Sequence, residues 1–299
     1  MKVHQPLMSL FAHGTLGHQL IFRKTARAHS AYLHFNPKQP ATEAQVNHHI
    51  LFSLLAKRWY WLDYPAKDFW IPFAKELQIT PYNAYLGYNL HRLNPAQPEG
   101  LIAWWPNLVP AGDVLHDLSP DRKDGEFVNL NPETAWAHSP QRRGDVIEYD
   151  GTGYVNVPTP PSTTGPYTWA FWFKQNAYTG GSAIVDTGHT GRYVQCRFST
   201  QRATHLLRDK AAFTPQLFLY DFTWHHYAGV WDGKEITIYI DGTLHHTTEQ
   251  LIAPADQVEM RFGVYGIGVP NVYFHGQVDD LRFYARDLTQ PQIAQLAHW

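Results

Sequence analysis

The Asp-Gly pairs Asp150-Gly151, Asp232-Gly233 and Asp241-Gly242 border short runs of alternating apolar and polar residues. This pattern restricts the fold more than any other feature of the chain. A glycine in such a pair accepts the positive φ of a tight hairpin turn. The bordering runs read as strands, among them Thr168-Trp169-Ala170-Phe171-Trp172-Phe173, His225-Tyr227-Gly229-Trp231 and Ile236-Thr237-Ile238-Tyr239-Ile240. Roughly a dozen such runs over about 200 residues, with no helical period between them, predict a two-sheet antiparallel sandwich.

The first 98 residues follow a different pattern. Gln19-Leu20-Ile21-Phe22 reads as one strand of a small ribbon, loosened on its amino-terminal side by Gly14 and Gly17. After Asn36-Pro37-Lys38-Gln39-Pro40, the run Thr42-Glu43-Ala44-Gln45 has capping-box form, so Thr42 starts a helix whose stripe is Val46, Ile50 and Leu54. A second helix is expected over Ala66 to Leu77, with Pro72 kinking it or shifting its start. Thr80-Pro81, an N-cap followed by proline at N1, opens a third through Tyr85, Leu86, Asn89 and Leu93. The linker Asn94-Pro95-Ala96-Gln97-Pro98-Glu99-Gly100 then ends all periodicity. The fold class is therefore mainly β with a small α module: a short-strand-plus-three-helix domain over 1–98 and a sandwich over 99–299.

Composition narrows the function classes. Only 17% of residues are charged, and 26 acids against 24 bases leave a net charge of -2. No electrostatic footprint for nucleic acid or an anionic membrane follows from that balance. Aromatic residues make up 15% of the chain, enough for large cores. The lone Cys196 excludes an intrachain disulfide and reads as a small buried apolar residue. The longest apolar run, Trp169 to Phe173, is far short of a membrane span, and the amino terminus is too short and polar in its apolar stretch for a secretory signal.

An ordered series in the second part resembles the laminin-G-like, concanavalin-A-like jelly roll. It runs through Gly100-Leu101-Ile102-Ala103-Trp104-Trp105, Asp117-Leu118-Ser119-Pro120 and Ile147-Glu148-Tyr149-Asp150-Gly151 with Tyr154-Val155-Asn156-Val157. It continues through Trp224-His225-His226-Tyr227-Ala228-Gly229-Val230, Ile238-Tyr239-Ile240-Asp241-Gly242 and Phe274-His275-Gly276-Gln277-Val278-Asp279-Asp280-Leu281-Arg282-Phe283-Tyr284. The tail Leu288-Thr289-Gln290-Pro291-Gln292-Ile293 closes it and is expected to cap a short helix that packs Ile293 and Leu296 back on the sandwich.

The resemblance implies two further expectations. Domains of this kind hold a calcium ion with an aspartate of the closing strand and one after the first strand, which here are Asp279 and Asp117. The alternative is that turn amides or Arg282 satisfy both carboxylates. Members that hydrolyse glycans carry Glu-x-Asp-x-x-Glu or Glu-x-Asp-x-Glu on one strand face, since a nucleophile and a general acid are needed. Glu148-Tyr149-Asp150 lacks the second glutamate, so no catalytic residue is assigned.

The 18 histidines do not form a metal pattern: His48-His49, His225-His226 and His245-His246 are adjacent doublets, and on a strand adjacent residues face opposite sides. Aromatic residues in glycine-rich loops point to sugar binding, where a ring stacks on the apolar face of a pyranose. Tyr178, His189, Arg192, Tyr193, Tyr265 and Asn271 form that candidate set; the alternative is that several of them cap the core.

Residues 12–93 resemble a small module of tailed-phage and phage-like proteins. The pattern is Gly14-Thr15-Leu16-Gly17 through Phe22, Pro37-Lys38-Gln39-Pro40-Ala41-Thr42-Glu43-Ala44-Gln45, Trp70-Ile71-Pro72-Phe73-Ala74 and Tyr82-Asn83-Ala84-Tyr85, with Tyr85 where the module has Phe. It implies an anchor whose rings Trp59, Trp61, Phe69 and Trp70 dock on a partner; packing on the module's own helices or on the jelly roll is the alternative. The function expected is a non-enzymatic structural or adhesive protein of a virion or virion-like particle. It would be assembled in the cytoplasm with other virion proteins or copies of itself, and would display a lectin-like domain outward. A cellular glycan-binding protein without an assembly role is the second reading, and a glycan hydrolase the third.

Overall fold

The computed structural model describes residues 14–16, 20–25, 28–33, 52, 55–56, 59–60, 67–68, 70–93, 99–107, 112–119, 121–142, 144–177, 180–188, 194–199, 202–207, 210–214, 219–256, 259–266 and 272–297. The chain parts into two compact units, Met1–Ile50 and Leu51–Trp299. In the first, β1 (Gly14–Leu16), β2 (Leu20–Thr25) and β3 (Ala28–Leu33) form an antiparallel three-stranded sheet. The helix expected from Thr42 lies outside the described residues.

The second unit opens with helices. In α1 (Ile71–Leu77) Pro72 falls in the first turn, where its missing N–H interrupts no helical bond, so the start is shifted rather than the helix kinked. In α2 (Pro81–Leu93) the Thr80 hydroxyl accepts from the Asn83 amide at 3.2 Å and Pro81 occupies N1. Their buried side belongs to the same unit as the sandwich: Leu55, Trp70, Ala74, Ala84, Tyr85 and Leu86 form one cluster with Trp104 of the first sandwich strand. The contacts thus divide the chain near residue 50, and the helices beyond it pack with the strands rather than ending at the linker. Among the described residues no helix is long and apolar enough to cross a membrane.

Two eight-stranded antiparallel sheets make the sandwich. The first runs β17 (Thr243–Glu249), β16 (Glu235–Ile240), β15 (His225–Trp231), β10 (Tyr167–Gln175), β21 (His275–Tyr284), β8 (Gly144–Asp150) and β7 (Trp136–Ser139), with β4 (Leu101–Trp105) also paired to β21. The second runs β14 (Lys210–Phe213), β13 (Ala203–Leu207), β12 (Val194–Phe198), β11 (Ala183–Asp186), β18 (Met260–Phe262), β9 (Tyr154–Val157), β6 (Gly125–Val128) and β5 (Val114–Leu115). A short helix, α3 (Pro132–Ala135), precedes β7, and the ribbon β19 (Val264–Tyr265) with β20 (Val272–Tyr273) links the two sheets in sequence.

The core follows from strand alternation. Tyr167, Trp169, Phe171 and Phe173 of β10 point inward, each fully buried, against Phe198, Tyr227, Phe262 and Phe283. Within this apolar layer lies one polar chain. Neutral His205 links the Tyr167 hydroxyl at 2.9 Å to the Tyr227 hydroxyl at 2.8 Å, and the Cys196 sulfur lies 3.6 Å from the same ring. Burial pushes the Cys196 thiol well up, and it is fully buried. Gly229 makes room for the chain: a Cβ there would collide with His205 Nδ1.

Hairpin turns fall at two of the Asp-Gly pairs. Asp232-Gly233 joins β15 to β16, and Asp241 and Gly242, both at positive φ, join β16 to β17. Asp150-Gly151 instead carries the chain from β8 in the first sheet to β9 in the second, which do not pair. The last helix, α4 (Gln290–Ala297), carries the Gln292 half of the expected capping box, with both the Thr289 N–H and the Thr289 hydroxyl donating to Gln292 Oε1 at 2.9 and 3.0 Å. Its Ile293 and Leu296 pack on Ala170, Ala228, Val230, Tyr239 and Tyr284, covering part of the outer face of the first sheet.

Candidate functional site

Strand register sets the site. In β12, β11, β18 and β9 the core-facing residues are Cys196, Val185, Phe262 and Val155. Their neighbours Gln195, Asp186, Arg261 and Asn156 pair across the strands in one row on the outer face of the second sheet. Glu126 of β6 extends the row beyond Asn156.

Asp186 organises this row although it is fully buried. Its Oδ1 accepts from the Gly188 amide at 2.9 Å and from Gln195 Nε2 at 3.0 Å, and its Oδ2 accepts from the Gly266 amide at 3.0 Å. One carboxylate therefore ties the β11–β12 connection to the β19–β20 ribbon. A buried carboxylate satisfied by several N–H donors is a rigid anchor. Those two connections carry five of the six residues of the sugar-binding set: His189, Arg192, Tyr193, Tyr265 and Asn271.

Of the set, Tyr265 lies within the described residues; Tyr178, His189, Arg192, Tyr193 and Asn271 lie outside them. Tyr265 is half-buried, and the Arg197 guanidinium sits 4.2 Å from its ring centroid. A side chain built at Gly181, in the β10–β11 connection, would meet the same guanidinium at 3.6 Å. A second stack of the same kind lies along the row, with Arg261 4.8 Å from the Tyr154 ring and paired to Glu259 at 3.4 Å. Tyrosine rings beside guanidinium, amide and carboxylate groups supply both stacking surface and hydroxyl-directed hydrogen bonds. Arg197, Arg261, Tyr154 and Asp186 were not singled out in the sequence. Ile184-Val185-Asp186, an apolar strand ending on an aspartate, was the available signal for the last.

The two calcium candidates are both buried and engaged by hydrogen-bond donors. Asp117 accepts from the amides of Trp104, Ser119 and Lys123 and from the Ser119 hydroxyl, each at 2.8 Å. Asp279 accepts from Arg142 Nε at 2.9 Å and from Asn107 Nδ2 at 3.3 Å. A cation needs oxygens directed at it, and these carboxylates are directed at N–H groups. Among the described residues no group of three or more His, Cys, Asp and Glu side chains could hold a metal ion. Glu148 is used in the same way, accepting from Asn176 Nδ2 and Gln277 Nε2.

Of the four rings expected to dock on a partner, Trp61 and Phe69 lie outside the described residues. Trp70 is 5% exposed and meets Tyr85 edge-on at 5.5 Å. Trp59, half-buried, packs between Tyr82 and Tyr85 at 5.7 and 5.3 Å. Both rings are engaged within the chain.

Comparison with known proteins agrees with this architecture. Domain 4 of the extracellular arabinanase AbnA of Geobacillus stearothermophilus, solved with arabinotriose, is 18% identical with a TM-score of 0.53, and the match covers 66% of this chain and 98% of that one. The binding domain of Paraclostridial Mosquitocidal Protein 1 is 15% identical with a TM-score of 0.52, covering 67% of this chain and 52% of that one. A Trypanosoma rangeli sialidase is 13% identical with a TM-score of 0.51, covering 72% of this chain and 40% of that one. This chain thus spans about half or less of the latter two. A search of curated protein sequences finds no match. Residues 149–294 match the family described as the concanavalin A-like lectin/glucanases superfamily, and the two packed antiparallel sheets form a sandwich consistent with a jelly roll.

Proposed function

We propose that this chain binds saccharide through its jelly roll, on the outer face of the second sheet where Tyr265 stands beside Arg197. One observation carries the reading. A single buried carboxylate, Asp186, holds together the two connections that carry the ring and most of the polar residues of the set. The reading is supported by one structural neighbour, an arabinanase domain solved with arabinotriose. Binding without catalysis is supported by Glu148, whose oxygens both serve Asn176 and Gln277.

The test is a glycan array followed by calorimetry on the full chain. Tyr265→Ala and Arg197→Ala are each expected to weaken the selected sugar by at least about tenfold while leaving Tm unchanged. An array with no bound glycan, or a bound glycan indifferent to both substitutions, would sink the proposal. The finer form of the reading displays this domain on a virion or virion-like particle, and its support is the sequence pattern of residues 12–93. Co-purification of the full chain with such particles is the expected outcome, and a soluble monomer absent from them counts against it.

A further inference from the structure

The connection into β15 holds a second aromatic feature, apart from the ribbon that carries Tyr265. Phe222 has φ +62°, a conformation that a bulky side chain takes only under strain. The residue is 60% exposed, so burial of its side chain does not offset the strain. The backbone is fixed all the same. Asp221 Oδ1 accepts from the Thr223 amide at 2.9 Å and from its hydroxyl at 2.8 Å. The His225 ring in turn bridges Asp221 at 3.2 Å and Asp241 at 2.9 Å.

One ring packs on the exposed one, and another follows it in the sequence. Tyr220 lies 4.9 Å from Phe222, centroid to centroid. Trp224, two residues on and half-buried, has Lys174 and Arg142 each 5.8 Å from its centroid. Arg142 is spent on Asp279 at 2.9 Å and also lies 4.1 Å from the Trp172 ring. Lys174 has no ion pair with any described residue. The local chemistry is thus an exposed phenylalanine and, two residues on, a half-buried tryptophan beside an ammonium that pairs with no carboxylate among the described residues.

We infer that the loop Tyr220–Trp224 is a second saccharide site, which stacks a sugar ring on Phe222 and Trp224 and sets a carboxylate of that sugar against Lys174. It goes beyond the Tyr265 site and does not depend on it. A neutral sugar satisfies the rings but leaves the ammonium unmatched, so the site selects acidic saccharides. An acidic peptide would lack the flat apolar ring face that the exposed phenylalanine meets.

Calorimetry on the full chain tests this with a glucuronic-acid-containing disaccharide and its neutral glucose counterpart. The wild-type chain is expected to prefer the acidic sugar by roughly tenfold, and Lys174→Gln to abolish the preference. Phe222→Gly removes the ring and accepts the positive φ, so it is expected to raise Tm while weakening the acidic sugar by at least about tenfold. Tyr265→Ala leaves this binding unchanged, which separates the two sites. A lowered Tm in Phe222→Gly would make the ring a packing element and overturn the inference. Equal binding of both sugars, no binding of either, or binding indifferent to Phe222→Gly and Lys174→Gln would overturn it as well. If Tyr265→Ala removed binding of the acidic sugar while those two substitutions did not, the Tyr265 reading would stand and this one would fall.

Discussion

Two buried histidines make the stability of the sandwich depend on pH. Burial disfavours the charged imidazolium of His205, and burial together with the Arg282 charge does so for His226; each is lowered from 6.5 to about 3. Between those values the unfolded chain binds protons that the folded one refuses, so stability falls as pH falls. The slope is up to about 1.4 kcal/mol per pH unit for each histidine. His225 works in the other direction. Burial opposes its protonation, but the hydrogen bonds and charges of Asp241 and Asp221 outweigh that and raise its pKa. Its contribution is complete below the unfolded value and is lost as pH rises through the folded one. Urea midpoints are therefore expected to peak near neutrality, and His226→Gln is expected to remove about half of the decline between pH 6.5 and 4.5. A flat profile across that interval would contradict the buried, neutral state of both rings.

At the scale of elements, the closing helix is the sharpest case. Ile293 is fully buried and Leu296 nearly so, against alanine, valine and tyrosine side chains of the outer sheet face. Ile293→Ala should cost roughly 2–5 kcal/mol in urea denaturation, because the sheet beneath cannot collapse into the space left. A loss below about 0.5 kcal/mol, the scale of surface substitutions, would mean that the helix is dispensable. This helix was legible in advance because Thr289, Gln292, Ile293 and Leu296 state cap and stripe within eight residues. The same local chemistry explains why the turn at Asp241-Gly242 and the shifted start at Pro72 could be read. The polar row Gln195-Asp186-Arg261-Asn156 was not legible, because it is contributed by four strands whose pairing crosses the sequence. The strand end Ile184-Val185-Asp186 draws attention to the aspartate, but its bonds to connections 80 residues apart are set by the pairing of distant strands.

For the molecule as a whole, the sequence pattern named the sandwich but not how the helices join it. Trp104 reads as a strand residue and is one, yet its ring is covered by Trp70, Ala74, Tyr85 and their neighbours. A domain boundary drawn from the proline-rich linker therefore cuts through a shared apolar cluster. Calcium is the other whole-molecule question, since an ion that binds only the folded state raises Tm with its concentration. With Asp117 and Asp279 facing N–H donors, Tm is expected to shift by less than about 1 °C between excess EDTA and millimolar calcium. A larger rise with calcium would show that these carboxylates exchange their donors for the ion.

The buried thiol has a practical consequence for experiments on the intact protein. Cys196 is the chain's one cysteine, it is fully buried, and its ionisation is suppressed. A thiol-reactive dye can reach it only when the two sheets part. The rate of labelling under native conditions thus reads the opening of the sandwich directly, without an introduced probe and at a single known position. Repeated with a bound sugar present, the same rate reports how firmly that ligand holds the sheets together.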